Sequence, residues 1–342
     1  MAPTGAILLP FSADTATPTL VLLNPHAQGG RAARHHADLL QALLSRQLTL
    51  PLEAPDTVDE ALSLLMQQPR GARVVLVGGD GTLQQWLPAI MAQQLEVGLV
   101  PLGSGNDLAR ALGLLGLSPT EALLHALQAP AAPMDVATVR WDPPALGARL
   151  LQTQVHERFF LSSLAAGFDA QVALLALHAP RWLTGRGRYV WAIAAALWRL
   201  SHWPVQVFVD QQRIYHGPAL LCSALNTPSY GSGMMATPGN RIDDGQLQML
   251  MAEGLGRWRT LRLLPKLFKG THLGRRGVHH HNTQVLWVHS QTPVPLAADG
   301  EYLGLAQQYR VQLLPGALRV VRGPGPAPAI TPTASSAPDS AA

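Results

Sequence analysis

The stretch that decides the fold is "VVLVGGDGTLQQWL", from Val74 to Leu87. Four apolar residues lead into glycines that surround one carboxylate, Asp80, and an amphipathic pattern follows. Glycines at a strand end let the backbone turn sharply and approach a ligand, and the N-terminus of the next helix offers free N–H groups to phosphate. Because a carboxylate repels phosphate, a Mg²⁺ ion between them is the arrangement that this pattern favours.

A second stretch, "PLGSGNDLAR" from Pro101 to Arg110, follows the same logic after another apolar run. Its small and polar residues are Gly103, Ser104, Gly105, Asn106 and Asp107. A single loop of this kind is typical of turn and helix-cap residues with no ligand. Two such loops at successive strand ends favour a binding site instead.

The residues around these loops alternate between short apolar runs and helical patterns. "TLVLLN", "RVVLV" and "VGLVPLG" predict buried strands at residues 19–24, 73–77 and 97–103. Thr57 with Glu60, and Ser118 followed by Pro119, predict two helix starts between and after them. The alternation predicts a doubly wound parallel α/β sheet, whose ligands bind at the carboxyl ends of the strands.

The sequence pattern changes after about Asp135, where short strand-like segments follow one another without regular helices between them. We therefore predict an α/β N-terminal domain over residues 17–135 and a mainly antiparallel β domain over residues 136–322. The Pro-, Ala- and Ser-rich residues 323–342 predict a disordered tail.

Composition narrows the classes of function. The 342 residues are 47% hydrophobic, enough for two domains, and the net charge of +4 suits an anionic ligand or surface. The single cysteine, Cys222, fits a reducing compartment. No signal peptide is apparent, and the longest apolar stretch, from Tyr189 to Trp198, is short for a membrane span. We expect a cytoplasmic protein with at most peripheral membrane contact, and no basic patch interleaved with aromatics indicates nucleic-acid binding.

Together these loops resemble the diacylglycerol kinase catalytic family, which includes bacterial lipid kinases and is related to the sphingosine kinases. The matching motifs, in the order of the family, are "NPHAQGG" (24–30), "GGDGT" (78–82), "GSGNDLAR" (103–110), "AAGFDA" (165–170), "NTPSYGSGMMATPGNRIDDGQLQML" (226–250) and "ADGE" (298–301). The resemblance spans residues 19–314 and implies the fold shared by NAD kinases and diacylglycerol kinases. A lone "GGDGT" would also fit NAD kinases or phosphofructokinases.

The resemblance implies roles for individual residues. The ATP site would comprise Asn24, Pro25, His26, Ala27, Gln28, Gly78, Gly79, Asp80, Gly81, Thr82, Leu83, Gln84, Gln85, Gly103, Ser104 and Asn106. Asp80, Asp107 and Asp135 would hold the catalytic Mg²⁺. Glu301 would take the proton from the substrate hydroxyl, with Asp299 as the other candidate. Phosphoryl transfer needs positioning, charge neutralisation and a nearby carboxylate, which these residue types supply.

The resemblance also implies a second, structural metal site formed by Asp244 and the carbonyl groups of Arg241 and Gln246. Without the family, the same "DDG" indicates a hairpin turn. The sequence departs from the family where Gln85 replaces an acidic residue and where Ser162 replaces an asparagine. These departures leave the nucleotide affinity and the identity of the lipid open.

These observations predict an ATP-dependent lipid kinase that transfers the γ-phosphate to the hydroxyl group of a diacylglycerol, a sphingoid base or a related lipid. One alternative is a kinase for a soluble hydroxyl substrate such as NAD, and another is a nonenzymatic nucleotide sensor on the same fold. The presence of Asp80, Asp107, Asp299 and Glu301 favours an enzyme, because a sensor has no chemical need for all four.

The segment from Gly256 to Arg276 contains seven Lys or Arg residues and no acidic residue. Its Trp258, Leu261, Leu264 and Phe268 recur at helical spacing. This pattern is typical of a helix that lies in an anionic membrane surface. It is equally typical of a basic helix whose apolar side packs on the β domain.

Overall fold

The computed structural model describes residues 18–103, 105–142, 155–180, 182–183, 186–231 and 233–324. Ser104 lies outside this range, as does nearly all of the predicted tail. The strands are β1 Pro18–Leu23, β2 Leu52–Glu53, β3 Arg73–Gly78, β4 Glu96–Pro101, β5 Ala131–Asp142, β6 His156–Phe160, β7 Ser163–Ala166, β8 Trp203–Val209, β9 Gln212–Leu225, β10 Leu247–Glu253, β11 Val278–Thr283, β12 Val285–Ala298 and β13 Glu301–Val321.

The helices are α1 Ala27–Gly30, α2 His36–Ser45, α3 Val58–Met66, α4 Asp80–Gln93, α5 Asp107–Ala111, α6 Pro119–Gln128, α7 Phe168–Leu177, α8 Arg186–Trp198 and α9 Arg257–Phe268, with a 3₁₀ turn over Ala32–His35. Among the helices of the described residues, none is long and apolar enough to cross a membrane.

The N-terminal half is the predicted parallel α/β sheet, in the order β2-β1-β3-β4. All six residues of β3 are buried, as the apolar run predicted. Its last residue, Gly78, lies opposite Pro101 at the end of β4. The two glycine loops therefore leave the same edge of the sheet side by side.

The predicted helix starts are confirmed at α3 and α6. Ser118 accepts a hydrogen bond from the backbone of Glu121, whose side chain accepts one from the backbone of Ser118 in return. Thr57 caps α3 in the same way, but the side chain of Glu60 accepts from Asp56 rather than from the cap itself. These caps satisfy backbone N–H groups that a helix leaves unpaired at its first turn.

The second half is built on antiparallel strands, as predicted. The expectation that no regular helices interrupt them is wrong, because α7, α8 and α9 lie between these strands. The sequence of α7, "FDAQVALLAL", is apolar on every side and gives no helical period. It packs with α8 and α9 into a layer of its own, which includes the buried Phe168 and Ala192.

One strand joins the two halves. β13 pairs antiparallel with β12 and β5 over most of its 21 residues, and its end pairs parallel with β4. All described strands consequently belong to one 13-stranded sheet. The predicted boundary at Asp135 falls inside β5, one of the strands that β13 pairs with.

A buried carboxylate stabilises the junction between the two halves, where β13 pairs with β4. Glu96 at the start of β4 accepts a hydrogen bond of 3.0 Å from Arg73 of β3 and one of 2.6 Å from Arg319 of β13. Arg73 is 0% exposed and also donates to the carbonyl oxygen of Ala129. Burial opposes ionisation of Glu96, but the bonds from Arg319 and Arg73 outweigh it and lower the pKa of Glu96 below 4.5.

We predict that Glu96→Gln lowers the free energy of unfolding by about 3–5 kcal/mol, because it leaves Arg73 buried without a counter-charge. The contribution of Glu96 should be complete above pH 4.5 and be lost as the pH falls through the lower pKa of the folded state. Urea unfolding followed by circular dichroism measures both effects.

The control is Glu157→Gln, which removes the solvent-exposed ion pair with Arg140 and should cost about 0–1 kcal/mol. Equal losses in the two variants would contradict a special role for the buried carboxylate.

Candidate functional site

The two glycine loops touch each other, and this contact requires glycine. A Cβ atom on Gly79 would lie 2.7 Å from the Cα atom of Gly103, which is closer than real Cβ atoms approach. A Cβ atom on Gly103 would meet both Gly79 and the side chain of Asn106. Asn106 itself adopts a left-handed conformation, with a φ of 52°, just before α5. The glycines thus allow the two loops to form one continuous floor.

Two carboxylates that were predicted to bind Mg²⁺ meet on this floor. The backbone N–H of Asp107 donates to Oδ2 of Asp80 over 2.8 Å. Burial raises the pKa of Asp80, with a smaller contribution from the negative charge of Asp107. Arg110 donates to Oδ1 of Asp107 over 2.5 Å and partly balances the negative charge.

Seven of the sixteen residues predicted for the ATP site line the cavity at this floor. Those that line the cavity are Ala27, Gln28, Gly79, Asp80, Gly81, Thr82 and Gly103. Asn24 supports the floor from below, because its side chain donates to the hydroxyl of Thr82 over 2.7 Å. His26 contacts the carbonyl oxygen of Asp56, and Leu83 is buried in the hydrophobic core.

The "ADGE" motif forms the turn between β12 and β13. Asp299 and Gly300 have φ values of 46° and 87°, as the two residues of a tight hairpin turn require. The carboxylate of Asp299 accepts three backbone N–H bonds, from Leu161, Ser162 and Ser163, at 2.8–2.9 Å. Burial raises its pKa to about 6, even though these three donors favour the charged form.

Glu301, the first residue of β13, stands directly over the first glycine loop. Its Oε1 atom lies 4.0 Å from the position of a Cβ atom on Gly81 and accepts from Gln85 over 3.3 Å. Its Oε2 atom accepts from the guanidinium of Arg158 on β6, which also donates to the side chain of Gln84. An acidic residue in place of Gln85 would repel Glu301, so the neutral amide suits this contact.

Asp169 also lines the cavity, and no role for it was predicted from the sequence. It lies at the start of α7 and accepts a hydrogen bond of 2.6 Å from the hydroxyl of Ser223. Burial raises its pKa to about 6, and the hydroxyl of Tyr230 lies 3.5 Å away. The "GFD" motif was the available signal, but its partners come from 54 and 61 residues further along the chain.

One cavity of about 490 Å³ connects the carboxylate floor with an apolar chamber. The chamber is lined by apolar residues of α7, α8 and α9 and of strands β9 and β10, among them Phe168, Val172, Ile193, Leu220, Leu250, Leu263 and Leu267. A site with a charged end and a long apolar end fits an amphiphilic ligand better than a wholly polar one.

Helix α9 covers this chamber and is apolar on two sides. Leu263, Leu264 and Leu267 line the cavity, whereas Trp258 is 76% exposed and Leu261 is 46% exposed. The predicted stripe of four apolar residues is therefore divided, because Leu264 and Phe268 line the cavity while Trp258 and Leu261 face solvent. Next to Trp258, Arg257 donates to the carbonyl oxygen of Trp198, a residue of α8 that is 80% exposed.

Asp135 is not among the residues that line the cavity with Asp80 and Asp107, so its role at the catalytic Mg²⁺ stays a prediction. Its Oδ2 atom accepts from the backbone of Gly245 over 2.8 Å, and its Oδ1 atom accepts from Gly316 over 2.7 Å. Asp135 instead lies beside the predicted second metal site. There, burial and then the charge of Asp135 raise the pKa of Asp244.

The other two residues of that second site lie in the same segment. The backbone N–H of Gln246 donates to Asp244 over 3.0 Å, and the side chain of Arg241 pairs with Asp243. Asp244 thus lies in a bend of the long connection between β9 and β10, not in a tight hairpin turn, and its role as a metal ligand stays a prediction.

Asp80 and Asp107 fit a Mg²⁺ ion of the kind that phosphate ligands help to hold. Across the described part of the chain, no cluster of three or more His, Cys, Asp or Glu side chains forms a complete metal site. Mg²⁺ does not need one, because it commonly uses one or two carboxylates, several waters and the phosphates of its partner ligand.

Comparisons with known proteins agree with this geometry. Residues 18–139 match the model of the diacylglycerol kinase catalytic domain, and residues 162–322 match that of the YegS C-terminal NAD kinase beta sandwich-like domain. A diacylglycerol kinase from Mycobacterium tuberculosis is 30% identical over 304 residues, which cover 88% of this chain and 94% of the relative.

A probable lipid kinase YegS-like protein from Chromohalobacter salexigens is 30% identical over 257 residues, covering 72% of this chain and 75% of the relative. The crystal structure of a diacylglycerol kinase from Bacillus anthracis shares the fold, with a TM-score of 0.63 at 16% identity over 92% of this chain and 99% of that one. The chain belongs to the diacylglycerol kinase family of phosphotransferases, and its two-part fold is the one predicted.

We predict that Gly79→Ala destabilises the protein by about 1–3 kcal/mol, because the added methyl group collides with the backbone of Gly103. The matched control is Gly256→Ala, where nothing lies within 4 Å and the expected change is within about 0.5 kcal/mol. Thermal unfolding of both variants measures the difference, and an unchanged melting temperature for Gly79→Ala would contradict the contact between the loops.

Proposed function

We propose that this protein is an ATP-dependent lipid kinase that transfers the γ-phosphate of ATP to the hydroxyl group of a lipid. The observation that carries the proposal is the single cavity in which the Asp80 and Asp107 floor opens into an apolar chamber. Membership of the diacylglycerol kinase family supports the reaction class. The apolar chamber supports a lipid as the acceptor.

In this proposal, the nucleotide binds on the floor that the two glycine loops form. The N-terminus of α4, which begins at Asp80, directs free N–H groups to the phosphates. Asp80 and Asp107 hold Mg²⁺, which when bound supplies positive charge to the phosphate oxygens. Gly79 and Gly103 keep side chains out of the way, so that the backbone can approach the phosphates closely.

Glu301 serves as the proton acceptor. The lipid oxygen forms a bond to the γ-phosphorus, the bond from that phosphorus to the β–γ bridging oxygen breaks, and ADP leaves with the electron pair. The proton of the lipid hydroxyl goes to Glu301. Asp299 is less suited to this role, because three backbone N–H groups already occupy its carboxylate. Its contribution is to hold the turn that carries Glu301.

The lipid tail occupies the apolar chamber, and its polar end lies near Asp169. Asp169 lines the cavity, and its carboxyl group is a hydrogen-bonding partner for a ligand hydroxyl there, while burial raises its pKa to about 6. NAD, the alternative acceptor, is polar along its whole length and would leave apolar walls such as Phe168 and Leu250 without a matching surface.

The membrane is the source of this lipid, and we propose that the cytoplasmic enzyme binds it peripherally through the outer side of α9. Trp258 and Leu261 supply exposed apolar groups there, and the neighbouring Lys and Arg residues supply positive charge. Such a helix binds an anionic interface through both contributions. The same helix covers the apolar chamber, so binding of α9 to the membrane places the cavity next to the lipid.

The test of the proposed function is a transfer assay with labelled ATP and Mg²⁺ across a panel of diacylglycerol, sphingoid base, ceramide, phosphatidylglycerol and NAD. We expect a labelled lipid product, and we expect Asp80→Asn to abolish it while leaving the fold intact, because a neutral amide fills the same turn but cannot neutralise Mg²⁺. Label on NAD alone would favour the soluble-substrate alternative, and ATP binding without any product would favour the nucleotide sensor.

We predict salt-sensitive sedimentation of the protein with anionic vesicles of phosphatidylglycerol and phosphatidylcholine. A variant with Arg259, Arg262, Lys266 and Lys269 changed to Gln should lose this binding, since each cation near an anionic leaflet contributes about 1 kcal/mol. The charge-matched control changes the exposed Arg31, Arg46, Arg70 and Arg213 to Gln. Equal binding by the two variants would exclude α9 as the docking helix.

A further inference from the structure

Arg158 links the two halves of the molecule at the site, although no motif of the sequence includes it. Its Nη2 atom donates both to Oε2 of Glu301 on β13 and to the side-chain oxygen of Gln84 on α4. Gln84 is fixed in turn, because its own amide donates to the carbonyl oxygen of Phe159 over 3.1 Å. The guanidinium therefore lies between the helix that follows the glycine loop and the carboxylate that faces it.

This contact limits what Glu301 can do. One of its oxygens is bound by Arg158 and the other by Gln85. Both carboxylate oxygens of the proposed proton acceptor therefore already have a hydrogen-bond donor beside them. A carboxylate held in this way is well oriented, but the guanidinium must release it before it accepts a proton.

The position of Arg158 and Glu301 indicates which ligand would separate the two side chains. Glu301 stands over Gly81, at the N-terminal turn of α4 where the phosphates of the proposed nucleotide lie. Arginine presents a planar set of donors that matches phosphate as well as carboxylate. The dianionic end of ATP next to Arg158 competes with Glu301 for the same donors.

We propose that Arg158 is a phosphate-binding and positioning residue that exchanges partners during the reaction. Before nucleotide binds, it holds Glu301 against α4. When ATP binds, Arg158 turns to the γ-phosphate and leaves Glu301 free to accept the proton of the lipid hydroxyl. This inference rests on the proposed kinase function, but its nucleotide-binding part can be tested without any lipid.

A purely stabilising ion pair is the alternative, and the neighbouring strand offers one for comparison. Arg140 on β5 binds Glu157 with two hydrogen bonds of 3.0 and 3.2 Å, and both side chains are largely exposed. Of these two ion pairs, only Glu301 lines the cavity, whereas Arg158, Arg140 and Glu157 do not. Arg140→Gln is thus a matched control that removes one arginine and one ion pair away from the site.

The experiment measures the affinity of wild type, Arg158→Gln, Arg158→Lys and Arg140→Gln for Mg²⁺-ATP and Mg²⁺-ADP by calorimetry. We expect Arg158→Gln to weaken ATP binding by about tenfold or more, as the loss of a charged hydrogen bond does, and to leave ADP binding within about twofold. Arg158→Lys should retain part of the discrimination, because it keeps the charge. Arg140→Gln should match wild type for both nucleotides.

Equal weakening of ATP and ADP in Arg158→Gln, or affinities equal to those of Arg140→Gln, would overturn the proposal. If Arg158→Gln fails to fold, Arg158→Lys is the variant that tests the proposal. A ratio of ATP to ADP affinity equal to that of wild type, together with an unchanged kcat, would then overturn it. Failure of wild type to phosphorylate any lipid would refute the proposed function, whereas the ratio of ATP to ADP affinity would still report on Arg158.

Discussion

The bond network around Glu96 is the interaction on which the geometry of this molecule depends. Its carboxylate accepts hydrogen bonds from Arg73 of the parallel sheet and from Arg319 of β13. That strand begins at Glu301, beside the first glycine loop, and ends beside β4. The buried charge cluster and Glu301 therefore lie at opposite ends of the strand that joins the two halves.

Each half contributes what the other lacks. The parallel sheet supplies two adjacent glycine loops, with Asp80 and Asp107 at the starts of their helices. The antiparallel half supplies the opposing carboxylate and an apolar chamber. A phosphate-binding floor alone would suit many nucleotide-binding proteins, and a hydrophobic chamber alone would suit many lipid carriers. Their continuity in one cavity is the observation behind the proposed phosphoryl transfer to a lipid.

The sequence predicted those features that depend on neighbouring residues. The buried strand before Gly78, the capping box at Ser118 and the paired glycine loops all follow from local patterns. It did not predict α7, because a helix that is apolar all round has no period to detect. It also missed Arg158, whose partner Glu301 lies 143 residues away. The role of Asp135 at the catalytic Mg²⁺ stays a prediction, because its carboxylate accepts from the backbone of Gly245 and Gly316 and is not among the groups that line the cavity.

The residues of α9 that cover the apolar chamber are less constrained in sequence than the glycine loops that form the floor. The floor depends on backbone contacts that tolerate glycine and no larger residue, so its sequence has little freedom to vary. The roof helix α9 is held by packing and by a few side-chain bonds to carbonyl groups, such as that from Arg257 to Trp198. Any set of apolar residues of suitable volume can satisfy it. Exchange of residues in α9 can therefore change the length and shape of the apolar chamber, and with it the range of lipids under the proposed function, while the residues of the floor stay unchanged.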